Sequence, residues 1–372
     1  MTIKFRPQLK NPKRILVKIG SNVLANSDLS LDLNKIKIIV EDLAYLSSNT
    51  IEIILVSSGA ILAGKKFLNT SKKSAIDYLQ AASAIGQPKL MNAYSNYFKN
   101  YNLNTAQILL THDDFNNRQR FLNAKNTLTT LLKNNIIPIL NENDTISYNE
   151  ITVGDNDQLA TMVAQMLDVD VILLISSTDG VYSKPPNDFA AEKISFVAFN
   201  NNLDFVDTND ITPTGRGGME SKLIAVKKAS SLGLPCIIAG KDYEKPIIRA
   251  LTENVGTYFE AKKLLESINR KSWLMSIVKP SNFLVVDSGC CDALVKKNSS
   301  LLPSGIVEVS GNFKRGDCIY IVYNNKIIAV GLCEYESKEI KKIMGKKSCD
   351  INSSLGYFIS EEIVHKDNLS LI

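Results

Sequence analysis

Along the first 260 residues, apolar positions follow two alternating rhythms. Continuous runs at 14–19 (RILVKI), 51–56 (IEIILV), 105–110 (TAQILL), 136–140 (IIPIL), 169–175 (VDVILLI) and 236–239 (CIIA) read as buried strands. Between them, apolar residues three and four positions apart predict helices over 33–47, 78–98, 123–132 and 219–232. In the first of these, Ile36, Ile39, Val40, Leu43 and Leu46 share a face; in the last, Met219, Leu223, Val226 and Ala229 do. A further helix carries Leu159, Met162, Val163, Met166 and Leu167 on one side, and Asp155 with Gln158 three residues on fits a capping box at its start. Strands alternating with helices imply an α/β unit with a mostly parallel sheet covered on both faces.

The rhythm changes around 260–279, where Trp273 and Lys279-Pro280 mark a boundary. Beyond it short β runs dominate, at 283–286, 306–309, 318–323 and 327–330, with Gly305, Gly311, Gly316 and Asn324-Asn325 as turns. A small β-barrel or sandwich is expected there. The organisation is then a polar lead-in over 1–13, an α/β domain over 14–265, a linker over 266–279 and a β domain over 280–372. A length of 372 residues agrees with two domains.

Composition excludes several function classes. No apolar run approaches the roughly 20 residues needed to span a bilayer, and the first residues lack the apolar stretch of a signal peptide, so a cytoplasmic protein with no membrane partner is expected. Six cysteines without a CxxC pair read as reduced thiols. Only His112 and His365 are present, which removes imidazole-rich zinc sites and a His-based triad. The net charge of +5 is mild, and residues 280–372 hold eleven basic and eleven acidic side chains, so the surplus lies in the first domain. A nucleic-acid role for the tail would need a local patch such as Lys314-Arg315 or Lys341-Lys342 with Lys346-Lys347; a solvated face is the plainer reading.

Candidate chemistry concentrates at strand ends. Two acidic-amide clusters, 141–144 (NEND) and 154–157 (GDND), follow or flank apolar runs, and in open α/β sheets ligands bind outside the carboxyl ends of strands. Lys18 interrupts the first strand just before Gly20-Ser21. It is either a snorkelling lysine at a sheet end or a phosphate contact, since a buried ammonium is costly without an anion. Ser57-Ser58-Gly59 forms a strand-to-helix turn able to offer a hydroxyl and backbone N–H groups to an anion. Gly215-Arg216-Gly217-Gly218 leads into a helix whose first turn carries Lys222; the glycines suit either close approach to phosphate or a hinge. Residues 111–121 (THDDFNNRQRF) read mostly as solvated surface.

Taken together, ILVKIGSNVL, LVSSGAILAG, QRFLNAKNTL, IPILNENDTI, ITVGDNDQLA and GRGGMESKL, in this order and spacing, closely resemble the glutamate 5-kinases of the amino acid kinase family. LLPSGIVEVSGNFKRGDCIYI resembles a PUA-type barrel, and the likeness covers nearly the whole chain. The resemblance implies a three-layer αβα kinase domain that transfers the γ-phosphate of ATP, with Mg²⁺, to the side-chain carboxylate of L-glutamate. The product would be glutamyl 5-phosphate, the first intermediate toward proline. By the same resemblance Lys18 and Lys222 are the phosphate-binding lysines, Asp157 the acid that organises them, and Ser58, Asp144 and Asn156 the glutamate-binding positions. The ATP-binding positions are Lys18, Gly20, Ser176, Ser177, Arg216, Gly217, Gly218, Met219, Glu220, Ser221 and Lys222, and no side chain is assigned to a metal.

Two departures stand out. Arg216 occupies a place where some members carry threonine, and Ser176-Ser177 align where some carry Thr-Asp, this chain's own Thr178-Asp179 coming two positions later. Which side chain between 176 and 179 meets ATP is therefore open. Members often respond to proline as a feedback inhibitor, and a homo-oligomer, dimer or tetramer, is the expected assembly. The chemistry suits the residues, because a carboxylate is already ionised at neutral pH and needs no general base; lysines, glycine-rich N–H groups and Mg²⁺ held by phosphates and water meet the demands of phosphoryl transfer. Rival readings are a kinase for carbamate, aspartate or N-acetylglutamate, and, through the PUA-type tail, a protein that binds or modifies RNA.

Overall fold

The computed structural model describes residues 3–68, 75–146, 156–184, 188–201, 218–263, 278 and 280–372. The chain divides into two compact units, one of Met1–Phe115 with Ala124–Lys263, the other of Asn116–Asn123 with Leu264–Ile372. The expected linker over 266–279 lies outside the described residues except for Val278, as does Asp155 of the expected capping box.

The sheet of the first unit uses β1 (Arg14–Ile19), β2 (Glu52–Ser57), β3 (Asn104–Leu110), β4 (Ile136–Glu142), β5 (Val171–Ser176), β8 (Phe196–Val197), β9 (Cys236–Gly240) and β10 (Thr257–Phe259); β6 (Val181–Tyr182) and β7 (Lys193–Ile194) pair separately. Its order is β3-β4-β2-β1-β5-β9-β10-β8. The six strands from β3 to β9 are parallel, and only the pairing of β10 with β9 is antiparallel. The helices are α1 (Leu33–Ser48), α2 (Ala60–Gly64), α3 (Ile76–Lys99), α4 (His112–Asn116), α5 (Arg118–Lys133), α6 (Asn156–Met166), α7 (Met219–Ser231) and α8 (Pro246–Thr252).

The two-residue period of the strands explains the layers. Ile15, Val17, Ile19, Ile53, Leu55, Leu173 and Ile175 point into one core, which the apolar faces of α1, α3 and α8 complete. Their alternates Leu16, Ile54, Val56, Ile172 and Leu174 are equally buried on the opposite face, where α6 lies against β1, β2 and β5 and α7 packs on α6. Such two-sided burial is why these strands read as continuous apolar runs. Emptying one such position, as in Leu55→Ala, should cost about 2–5 kcal/mol. On α1 the five expected residues are all buried, and Asp32 caps the helix by accepting from the N–H groups of Asn34 and Lys35. Met162 and Met219, expected to face inward, are only half-buried, whereas Ala160, Thr161 and Ala164 make α6 buried on more than one side.

The lead-in is tied to this unit. Arg6 is buried and donates to the carbonyls of Ala250 and Val255 and to Asn254 Oδ1, with its guanidinium 5.3 Å from the centre of the Tyr258 ring. Residues 111–121 are at the surface as expected, with Asp113, Arg118 and Arg120 exposed, and α4 and the first turn of α5 form there.

In the second unit β11 (Phe283–Val286), β12 (Ile306–Ser310), β13 (Cys318–Tyr323), β14 (Lys326–Leu332) and β15 (Leu369–Leu371) make a five-stranded sheet ordered β12-β11-β13-β14-β15. The expected turns and strands are present, but α9 (Ser288–Lys297), α10 (Ser337–Ile343) and α11 (Ile351–Leu355) join them, so the unit is not built of strands alone. Pattern reading missed α9 because it buries a single residue, Leu294, and so shows no apolar stripe. Its core joins Leu284, Ile319, Ile321, Phe313 and Tyr335 to Ile340, Ile343 and Ile351 from the helices. None of the six cysteines is joined in a disulfide.

Candidate active site

Because the central strands are parallel, their carboxyl ends share one edge of the sheet. Ile19 stands level with Ser57 and Ile175, and Ser176 with Gly240. The expected site residues therefore converge from β1, β2, β4 and β5 and from the helices that follow.

At the centre is Asp157, in the first turn of α6 and only 1% exposed. Its Oδ1 lies 2.6 Å from Lys18 Nζ and its Oδ2 3.7 Å from Lys222 Nζ. The Ser221 hydroxyl donates to Asp157 Oδ2 at 3.2 Å, in a geometry it shares with the Gly218 carbonyl at 3.0 Å. Burial pushes the Asp157 carboxyl up, but Lys18 and Lys222 together with hydrogen bonds from Lys18 and Ser221 outweigh it and hold it below the ordinary aspartate value. Burial pulls the Lys222 ammonium below its usual value, with Asp157 opposing and Lys18 reinforcing the shift. Two buried cations thus face one buried anion. Buried charges of this kind are costly inside a protein unless they are paired, as Asp157 pairs both lysines here. Gly20 belongs to the same place, since a Cβ there would stand 3.9 Å from Lys18 Nζ.

Beside the charges runs a chain of amides. Asn156 Oδ1 accepts from the backbone N–H of Glu142 at 3.3 Å, while its Nδ2 donates to Ser58 Oγ at 2.8 Å and to Asn141 Oδ1 at 2.9 Å. Asn141 Nδ2 then donates to Gln87 Oε1 at 2.8 Å. Asp144 accepts from the Ser83 hydroxyl at 2.7 Å. Ser58 is placed by Gly59, whose φ of +114° makes the turn into α2.

The structure thus brings Lys18, Asp157, Lys222 and Ser221 into one cluster and Ser58 and Asn156 into another, with Asp144 on the connection after β4. Gly218 precedes α7 with no side-chain cap, Met219 is half-buried and Glu220 exposed. Arg216 and Gly217 lie outside the described residues. Near the end of β5, Asp179 is committed elsewhere: it accepts from the Gly240 N–H at 3.1 Å, from Lys193 Nζ at 2.9 Å and from the Tyr243 hydroxyl. Ser176 is buried at the strand end and Ser177 exposed next to it.

Sequence reasoning missed Ser83 and Gln87. Both lie on α3 and both are buried, at a spacing of four that places them in line with the buried Leu79, Leu90 and Tyr94. Polar residues on the inward stripe of an amphipathic helix were the available signal. Among the described residues no group of three His, Cys, Asp or Glu side chains could hold a metal ion, and both oxygens of Asp157 face cations.

The profile of the amino acid kinase family matches residues 13–240, and that of the PUA domain residues 282–355. A glutamate 5-kinase of Caldanaerobacter subterraneus subsp. tengcongensis is 40% identical over 364 residues, which are 96% of this chain and 98% of that protein. A glutamate 5-kinase of Maridesulfovibrio salexigens is 42% identical over 372 residues, covering 98% and 97%.

Proposed function

We infer that this chain, which belongs to the glutamate 5-kinases of the amino acid kinase family, phosphorylates L-glutamate with the Lys18, Asp157 and Lys222 cluster at its centre. It transfers the γ-phosphate of ATP to the side-chain carboxylate, giving glutamyl 5-phosphate, the first step of proline biosynthesis. The observation that carries the site assignment is the pair of buried lysines held on one buried aspartate.

The acceptor carboxylate has an ordinary pKa near 4.3, so at neutral pH it is already the nucleophile and no base has to remove a proton. What remains is alignment and charge. Lys18 and Lys222, held by Asp157, supply fixed positive charge for the oxygens of the transferred phosphoryl group. Ser58, Asn156 and Asp144 hold the amino acid, Asn156 standing one residue from Asp157 and so linking acceptor and phosphate positions. On the nucleotide side Gly20, Ser176, Ser177 and the segment from Arg216 to Lys222 bind ATP, with Asp179 buttressing the strand end. Mg²⁺, if it enters on the phosphates, would add further neutralisation of charge there.

Residues 14–265 form the catalytic module and 280–372 an accessory one. A cytoplasmic homo-oligomer inhibited by proline is the working form that the resemblance suggests; sedimentation of the purified protein and a proline titration of its activity check both parts. The function itself is tested by ADP release and hydroxamate formation with Mg·ATP and a panel of acceptors. L-Glutamate should turn over well and N-acetylglutamate, carbamate and aspartate poorly; equal turnover of all four would overturn the substrate assignment.

A further inference from the structure

We propose that Gln87 is a positioning residue of the acceptor site, setting through Asn141 the orientation in which Asn156 meets glutamate. The proposal rests on the acceptor-site reading above and goes beyond it to a residue that no motif of the chain identified.

The direction of the amide chain follows from one backbone group. The Glu142 N–H can only donate, so the oxygen it meets on Asn156 is Oδ1, and Asn156 Nδ2 is turned toward Ser58 Oγ and Asn141. Asn141 must then present its own Oδ1 to Asn156 and its Nδ2 to Gln87, whose Oε1 is the only end able to accept. Each step removes a choice of flip. At the end of the chain Gln87 Nε2 is left without a hydrogen-bond partner among the described residues, although Gln87 is only 6% exposed. A buried unpartnered donor is unfavourable, and turning the amide over would satisfy nothing without setting two NH₂ groups against each other at Asn141. The arrangement is kept where the orientation of Asn141 and Asn156 matters more than the lost hydrogen bond.

Backbone packing holds Gln87 in register with the Ser58 turn. A Cβ on Gly86 would stand 1.8 Å from the Ala60 carbonyl oxygen, and one on Gly64 1.8 Å from that of Ala82, so α2 and α3 cross with their backbones in contact. Gln87 is the next residue after this crossing and Ser58 lies two residues before α2. One turn earlier on α3, Ser83 holds Asp144. One helix therefore supports both Asn141 near the end of β4 and Asp144 on the connection after it.

The test is steady-state kinetics of the full chain with Gln87→Met, which keeps length and volume but removes the acceptor for Asn141. The KM for L-glutamate should rise about tenfold, the size of effect expected when a buried hydrogen bond is lost, while the KM for ATP stays within about twofold. Gln87→Asn, which withdraws the carbonyl by one methylene and keeps the amide, should shift the glutamate KM in the same direction. In an Asn141→Ala background the effect of Gln87→Met should vanish, because Gln87 acts only through Asn141. An unchanged glutamate KM, an equal rise in both KM values, or additivity with Asn141→Ala would overturn the proposal. Absence of glutamate turnover by the unmodified chain would instead overturn the function, so the two failures are separable.

Discussion

Asp42 and Asp157 are carboxylates of the same unit, each about 1% exposed, yet their surroundings drive them in opposite directions. Asp42, on α1, accepts from the N–H groups of Ile247 at 2.8 Å and Ile248 at 3.4 Å and so caps the start of α8 from a neighbouring helix. Burial wins there over those donors and over Lys245, and the carboxyl is pushed up to about 6. At Asp157 burial acts in the same sense, but two lysines outweigh it. A buried acid is therefore not by itself a sign of chemistry. The acid at the sheet end is marked by a lysine ammonium group at each of its two oxygens, whereas Asp42 meets mainly backbone dipoles.

The sharpest way to break this comparison is to remove the cations. On the proposed role of the two lysines in stabilising transition-state charge, Lys18→Ala or Lys222→Ala should lower kcat by on the order of a hundredfold or more. A Lys222 variant with only a raised KM for ATP would make that lysine a ground-state nucleotide contact. Asp157→Asn should lower kcat as well and leave two buried ammonium groups without their anion, at a cost on the order of 3–5 kcal/mol in denaturant unfolding. Its circular dichroism at 25 °C should still be that of the folded chain.

Asp42 gives smaller effects, and its Asn variant differs in sign from that of Asp157. Asp42→Ala leaves two N–H groups uncapped and should cost about 1–3 kcal/mol, whereas Asp42→Asn keeps an acceptor and should be neutral or stabilising at pH 8. The pH dependence separates the two acids. A folded-state value near 6, above the unfolded value of about 3.9, means that Asp42 binds a proton more tightly when folded. Its stabilising contribution is present below about pH 4 and is lost as pH rises toward 6, so the difference in melting temperature between the unmodified chain and Asp42→Asn should change across that window and be flat above it. Asp157, depressed, contributes above the ordinary aspartate value and loses its contribution only as pH falls below it. A melting difference for Asp42→Asn that does not vary between pH 4 and 6 would remove the contrast.

The smallest effect is expected from deleting the second unit, which holds no residue of the proposed site. A chain of residues 1–269 should unfold cooperatively and retain glutamate-dependent ADP release, with some loss of stability because Asn116–Asn123 groups with the deleted residues. A folded but inactive truncation would show that the tail completes the site or an obligatory oligomer.

Much of this was legible in one dimension. The period-2 and period-3.6 patterns place β1 to β5, β9, α1 and α3, because strands buried on both faces, such as β1, β2 and β5, are apolar along almost their whole length. The same rule exposes Lys18, a charge where only apolar residues are expected. The helices of the second unit were hidden, since α9 buries one side chain and α10 is a two-turn segment announced only by its capping box of Glu336 and Glu339.

The sequence by itself determined the alternation of strands and helices, the position of each charged or amide residue at the end of its element, and the family to which the chain belongs. Tertiary structure alone decided that Asp157 lies between Lys18 and Lys222, that Asp42 serves as a remote cap, and that Gln87 and Ser83 support Asn141 and Asp144. The physical reason is separation along the chain: the Gln87–Asn141 bond joins residues 54 positions apart and the Asp42–Ile247 bond residues 205 apart. Local periodicity reports which face of an element is buried. It carries no information about which distant partner meets that face, and it is the partner that sets the charge of a buried acid and the direction of a buried amide.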